Sequence, residues 1–329
     1  MTVHPAGNPQ TDRACDDSRW QRPRQAAGAP GTIPTVNVAV IDVGSNSIRL
    51  LVARVDGGSV EQLHRERVYV RLGDDAFRRG RIGSRKLKET RSVAGKYARA
   101  ARKAGAECLE TIVTAPGRQS ENHEELVRVL AKATRSSVVV LSADDEGRLA
   151  WEGAVSRMDD PPETVAVVDL GGGSCELAVG HPTIGPEWVR SIDAGALRVT
   201  RAFLGENPPG VARVASARRE IEHMAADFGP PRPDTALAVG GTARAVGRVI
   251  GKRFSVESLE ELAAHLSTVP VEEITEPHGI TPERAESLLG GTLVLAEIGR
   301  RLDSNLEVGR GGLREGAALA LARAEAAAA

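Results

Sequence analysis

Two stretches of this 329-residue chain are near-copies of one another, 127 residues apart. Ala39–Val52 reads AVIDVGSNSIRLLV and Ala166–Val179 reads AVVDLGGGSCELAV. Asp42 falls on Asp169, Gly44 on Gly171, Ser47 on Ser174 and Leu50 on Leu177. An apolar strand recurs in any α/β protein, but here the turn residues recur as well. A repeated Asp-x-Gly-x-x-Ser at a strand exit predicts two loops with the same task in two halves of a duplicated fold.

Residue types suggest the task. Glycines in a tight turn admit φ > 0 and let an anion come close to the backbone. Successive N–H groups in such a turn form a concave anion site. In the first loop Gly44, Ser45, Asn46 and Ser47 are the candidate phosphate contacts; in the second they are Gly171, Gly172, Gly173 and Ser174. Asp42 and Asp169, with Glu176 just beyond the second loop, would repel a phosphate if they faced it alone. Carboxylates beside an anion cradle therefore point to a divalent cation or an activated water between them. A third motif, Gly240-Gly241-Thr242, follows an apolar run and opens a helix, whose N–H groups and dipole also favour an anion.

The chain is long enough for two domains. Residues 1–35 are rich in Pro, Gly, Gln and Arg without a period and read as a disordered extension. Strands are expected at 36–42, 47–55 and 62–72, then alternating helices and strands up to a helix over 144–156. The breaker Met158–Glu163 is the expected boundary. The strand-rich pattern then restarts, with a helix at 195–203, one from 240 to about 250, and one over 281–301. So the reading is α/β, with domains at 36–158 and 159–329 and a cleft between them where ligands are expected. The Ala-rich last helix, 313–328, is a candidate to pack back on the first domain.

Several classes are disfavoured. The formal net charge is −1 and aromatics are 3% of residues, so nothing global calls for nucleic acid. No apolar run approaches the ~18 residues of a membrane span, and no signal core is visible. Three cysteines without metal spacing fit a reducing cytoplasm better than a disulfide framework.

Two further residues are singled out. Arg118, in a predicted loop between a strand and a helix, can offer a bidentate fork to a phosphoryl group or be an ordinary loop arginine. Glu146 lies just past Ser142 and Asp145, which have the spacing of a capping box, and is a candidate base for activating water. Residues 78–103 hold eleven Lys and Arg against one acid, Glu89. This run is either a solvated helix face or a guide for a polyanion.

Taken in order, these residues resemble the exopolyphosphatase/guanosine pentaphosphate phosphatase family of the actin/sugar-kinase/heat-shock-ATPase superfamily. The resemblance runs from about Val36 to Leu319 and rests on Asp42–Ser47, Arg71-Leu-Gly73, Arg118-x-x-x-Asn122, Glu146-Gly-Arg-Leu149, Asp169–Glu176, Gly240-Gly-Thr242, Gly279–Ala285 and Gly312-Leu-Arg-Glu-Gly316. It implies two duplicated actin-like (ribonuclease H-like) domains. It also implies hydrolysis of the terminal phosphoanhydride of inorganic polyphosphate with Mg²⁺, Mn²⁺ being an alternative. By position Glu146 resembles the catalytic base, Arg118 the grip on the terminal phosphate, and Asp42, Asp169 and Glu176 the metal environment. The loop before Arg118 departs from the family, with Ala-Pro-Gly where Ser-Ala-x is usual.

The same residues suit a guanosine pentaphosphate phosphatase. A phosphotransferase of the acetate- or sugar-kinase type would share the two loops but would need an acceptor site. The chain ends before the C-terminal helical domains of longer members, which leans toward short polyphosphate. A homodimer is a further expectation.

Overall fold

The computed structural model describes residues 35–328, so the expected extension, but for Thr35, lies outside the described residues. The chain divides into two compact units. The first runs to Leu149 and takes in the segment from Arg314; the second is Ala150–Leu313. The division thus falls inside a helix, nine residues before Met158, and the last helix belongs with the first unit.

The first unit begins with a meander of β1 (Val36–Val43), β2 (Ile48–Asp56) and β3 (Ser59–Val68). Then come α1 (Leu72–Arg79), α2 (Ser84–Lys103), β4 (Cys108–Val113), α3 (Ala115–Gln119), α4 (His123–Thr134), β5 (Ser137–Val140) and α5 (Ala143–Val155). The sheet order is β3-β2-β1-β4-β5. β1 pairs antiparallel with β2 and parallel with β4. Its residues are almost all buried, as a central strand covered on both faces requires, whereas the edge strand β3 alternates toward solvent. The core joins Ile41, Leu50 and Val113 of the sheet to Leu87, Tyr97 and Leu126 of the helices.

The second unit repeats the plan. Strands β6 (Val165–Leu170), β7 (Cys175–His181) and β8 (Gly185–Ile192) form its meander. Helix α6 (Ala196–Val199) runs into a π-helical turn, Thr200–Leu204, followed by α7 (Val211–Met224), β9 (Thr235–Val239), α8 (Gly240–Ile250) and β10 (Arg253–Phe254). Then come α9 (Val256–Leu266), α10 (Val271–His278), α11 (Pro282–Ala285), α12 (Leu288–Leu302) and β11 (Leu306–Val308). Helix α13 (Leu313–Ala328) closes the described chain. The sheet order is β10-β11-β9-β6-β7-β8. Replacing β1, β2, β3, β4 and β5 by β6, β7, β8, β9 and β11 turns one order into the other, with β10 added at an edge. The duplication read in two loops therefore holds for whole sheets.

Three local expectations change. The third strand stops at Val68, because Arg71 turns the chain at φ 55 and Leu72 opens α1. Arg118 lies on the short helix α3 rather than in a loop. The single helix expected over 281–301 is two, α11 and α12, and α10 precedes them, ended by Gly279 at φ 57.

Candidate active site

In the first unit the loop after β1 is closed by Gly44 N–H donating to Ser47 O at 3.1 Å. In the second unit Gly171 N–H donates to Ser174 O, also at 3.1 Å. The sequence repeat is thus a repeated turn. Each loop is also held from outside by later backbone. Arg71 N–H reaches Asn46 O (3.0 Å) and Gly73 N–H reaches Ser45 O (2.8 Å). In the second unit Ala196 N–H reaches Gly171 O and Arg198 N–H reaches Gly172 O, both at 3.0 Å. Ser45 and Gly172 are equivalent positions of the repeat, so the same carbonyl is fastened in both units.

These bonds use up loop carbonyls and leave polar side chains. Ser45 Oγ and both amide atoms of Asn46 are buried and have no hydrogen-bond partner among the described residues. Buried polar atoms without partners are costly, and a cradle that a phosphate fills is a place where that cost is met.

The two loop aspartates have different neighbours. Asp42 is paired across β1–β2 with Arg49, whose Nε donates to Ser47 Oγ at 3.1 Å. Burial pushes the Asp42 carboxyl above its usual range; Arg49 and Arg314 pull it down, Glu315 pushes it up and Arg67 pulls it down. The position equivalent to Arg49 in the second unit is Glu176, which is paired across β6–β7 with Asp169. Glu176 is buried, and its Oε1 accepts from Ser191 Oγ at 2.9 Å. One unit therefore sets a cation opposite its loop aspartate and the other a second carboxylate. Burial, followed by the charges of Glu176 and Asp169, pushes the Cys175 thiol well above its usual range.

Arg118 and Glu146 meet in the first unit. Glu146 Oε2 accepts from Arg118 Nη1 at 2.8 Å, and the same Nη1 donates to Leu141 O at 2.9 Å. The side chains are 20% and 7% exposed, so the pair is largely out of water. Its geometry follows from local sequence. A Cβ on Gly117 would stand 2.7 Å from Val140 Cγ1, so only glycine lets α3 lie this close to β5. Ser142 caps α5: its Oγ accepts from Asp145 N–H at 3.0 Å and donates to Asp145 Oδ2 at 2.6 Å, which fixes the turn carrying Glu146.

The third motif lies beside Asp169. Gly240 has φ 91, and a Cβ there would be 3.1 Å from Asp169 Oδ1. Thr242 is fully buried and its Oγ1 accepts from Arg284 Nη1 at 3.1 Å. A Cβ on Gly241 would come within 2.4 Å of Arg284 Nη2.

Residues 51–325 match the Ppx/GppA phosphatase family. This chain belongs to that family. It is 29% identical over 315 residues to "Exopolyphosphatase 2" of Mycobacterium tuberculosis, covering 87% of this chain and 98% of the relative. It is 28% identical over 299 residues to "Exopolyphosphatase 1" of Mycobacterium leprae, covering 85% and 88%. Among solved structures, an exopolyphosphatase-like protein superposes with a TM-score of 0.81 at 25% identity, covering 88% of this chain and 99% of the other. The Aquifex aeolicus Ppx-GppA enzyme gives 0.73 at 25% identity, covering 87% and 99%. The family member described here thus has the α/β, actin-like fold of two duplicated domains.

Sequence reasoning singled out every loop residue but missed what holds them. Arg49 was visible as the seventh residue after Asp42, where the repeat has Glu176. Arg71, Gly73 and Arg284 lay in motifs to which no task was given.

Among the described residues no helix is long and apolar enough to cross a membrane.

Proposed function

We propose that this Ppx/GppA phosphatase is an exopolyphosphatase that hydrolyses the terminal phosphoanhydride of inorganic polyphosphate and releases orthophosphate. The observation that carries the reading is the buried Arg118–Glu146 pair at 2.8 Å, in the unit whose first loop holds the Ser45 hydroxyl and Asn46 amide without partners among the described residues. The names of the mycobacterial relatives favour polyphosphate as the substrate.

Glu146 is the general base: it takes a proton from the water that attacks the terminal phosphorus, and the shortened polyphosphate leaves. Arg118 holds that carboxylate in place, and its guanidinium suits a phosphoryl oxygen next to it. The loop side chains Ser45, Asn46, Ser47 and Ser174 and the glycine amides of both loops and of Gly240–Thr242 hold phosphate oxygens.

Asp169 and Glu176, on paired strands, fit a hard cation such as Mg²⁺ or Mn²⁺. Among the described residues no group of three or more His, Cys, Asp or Glu is gathered, so phosphate oxygens and water would complete the shell. Asp42, with Arg49 across the strand pair, is the weakest of the three metal candidates. When bound, the cation neutralises charge on the transferred phosphoryl group.

The test is phosphate release from short polyphosphate, long polyphosphate, guanosine pentaphosphate and ATP, compared side by side. Release from polyphosphate well above the other two supports the reading. Preference for guanosine pentaphosphate overturns the substrate assignment, and no release from any of them overturns the activity.

A further inference from the structure

Helix α2 has a feature that the site does not use. Arg85, Lys88, Arg91, Arg99 and Lys103 are all exposed, and none has a carboxylate partner among the described residues. Arg85, Lys88, Arg99 and Lys103 fall within about 60° of arc on an α-helix and span about 27 Å along it. Three other cations of the helix are engaged: Lys86 with Val70 O, Lys96 with Glu66 at 2.9 Å, and Arg102 with Thr134 O at 2.7 Å. A helix face that serves only solubility carries both signs, because like charges three or four residues apart destabilise it. This one carries a single acid, Glu89, in a chain whose net charge is −1.

The ridge begins at the active-site elements of its own unit. Lys86 Nζ donates to Val70 O, and the next residues are the ones bonded to the first loop, Arg71 to Asn46 and Gly73 to Ser45. On the other side Ile82 N–H donates to Asn122 Oδ1 (2.8 Å), and Asn122 Nδ2 donates back to Ile82 O (2.9 Å). Asn122 stands four residues after Arg118. The first turn of α2 is thus tied to the segment that holds the first phosphate loop, and Ile82, two residues before the helix, to the segment carrying Arg118.

We propose that the exposed face of α2 is a track for the polyphosphate chain beyond the phosphates held in the loops. A row of separate cations spaced along a rigid rod fits a flexible linear polyanion with a charge on every unit. The identity of the polyanion rests on the function proposed above; the binding face does not.

The experiment reverses two charges, Arg85→Glu with Lys88→Glu, and compares the variant with wild type and with Arg219→Glu, an exposed change on α7. Long polyphosphate and tripolyphosphate are compared at low and high salt, both as substrates and in direct binding. The double variant is expected to raise KM and Kd for the long chain about tenfold at low salt and to flatten their salt dependence. The shift for tripolyphosphate should stay below about twofold, because a short chain cannot reach along the helix. Equal shifts for both lengths, no shift for either, or the same shift from Arg219→Glu would overturn the track. So would tighter binding of an RNA oligomer of equal charge. If wild type hydrolyses no polyphosphate yet binds the long chain in a way the double variant weakens, the proposed function fails and the track stands.

Discussion

The carboxylate of Glu146 is held by the guanidinium of Arg118 at 2.8 Å, with the carboxylate side chain 7% exposed. A buried pair of this kind is weak evidence for stability, since desolvation offsets much of its attraction. It is a strong way to fix one carboxylate in position. Glu146→Gln should lower turnover by about 10²–10⁴, the usual cost of losing a general base, with substrate binding retained. Steady-state kinetics beside direct binding check this; a variant with a tenth of wild-type activity would remove Glu146 from the chemistry.

Arg118→Lys should also cost activity. An ammonium cannot serve Leu141 O, Glu146 and a phosphoryl oxygen as a planar fork does. We expect kcat to fall by about tenfold or more, as for loss of a group that acts on developing charge. Unaltered kcat and KM would return the residue to a purely local role.

Removal of divalent cations should silence the enzyme, and Mg²⁺ or Mn²⁺ should restore it. Glu176→Gln should raise the metal concentration needed for half-maximal activity, because Asp169 would be left as a lone carboxylate in its strand pair. Titration of activity against metal measures both effects; full activity in excess chelator, with bound metal checked, would refute them.

Asp42 costs the fold something at neutral pH. Its carboxyl is pushed up by burial, so the folded state holds its proton more tightly than the unfolded chain does. The favourable contribution is complete below the unfolded value and lost as pH rises through the folded one. Asp42→Asn should therefore melt higher than wild type at neutral pH, with the gap closing as pH falls toward the ordinary aspartate range. Melting curves in chelator across that range test the sign.

Gly195→Ala should loosen the second loop. A Cβ there would stand 2.4 Å from the backbone of Gly172 and Gly173, so the segment that fastens Gly171 and Gly172 must shift. Such overpacking costs about 1–3 kcal/mol. Denaturant unfolding reads the stability loss, and KM for phosphate-bearing substrate should rise with it.

Much was legible in the chain itself. The repeated Asp-x-Gly-x-x-Ser announced a duplicated turn, and the turns prove to be closed by the same bond at the same length. Apolar runs marked the central strands, because a strand covered on both faces must be apolar along its whole length. The Ser142–Asp145 cap was legible, since a cap acts over three residues and needs no distant partner. Local chemistry of this kind is written locally.

Tertiary structure decided the partners. Residues 118 and 146 come together only because β4 and β5 lie parallel and side by side, which no local pattern encodes. The unlike settings of the two loop aspartates depend on strand register, which places Arg49 opposite Asp42 and Glu176 opposite Asp169. The hold of Arg71 and Gly73 on the first loop, and of Arg284 on Thr242, joins positions far apart in sequence. Turns and caps follow from neighbours along the chain, and those the sequence determined; register, burial and ion pairing follow from neighbours in space, and only the folded chain chose them.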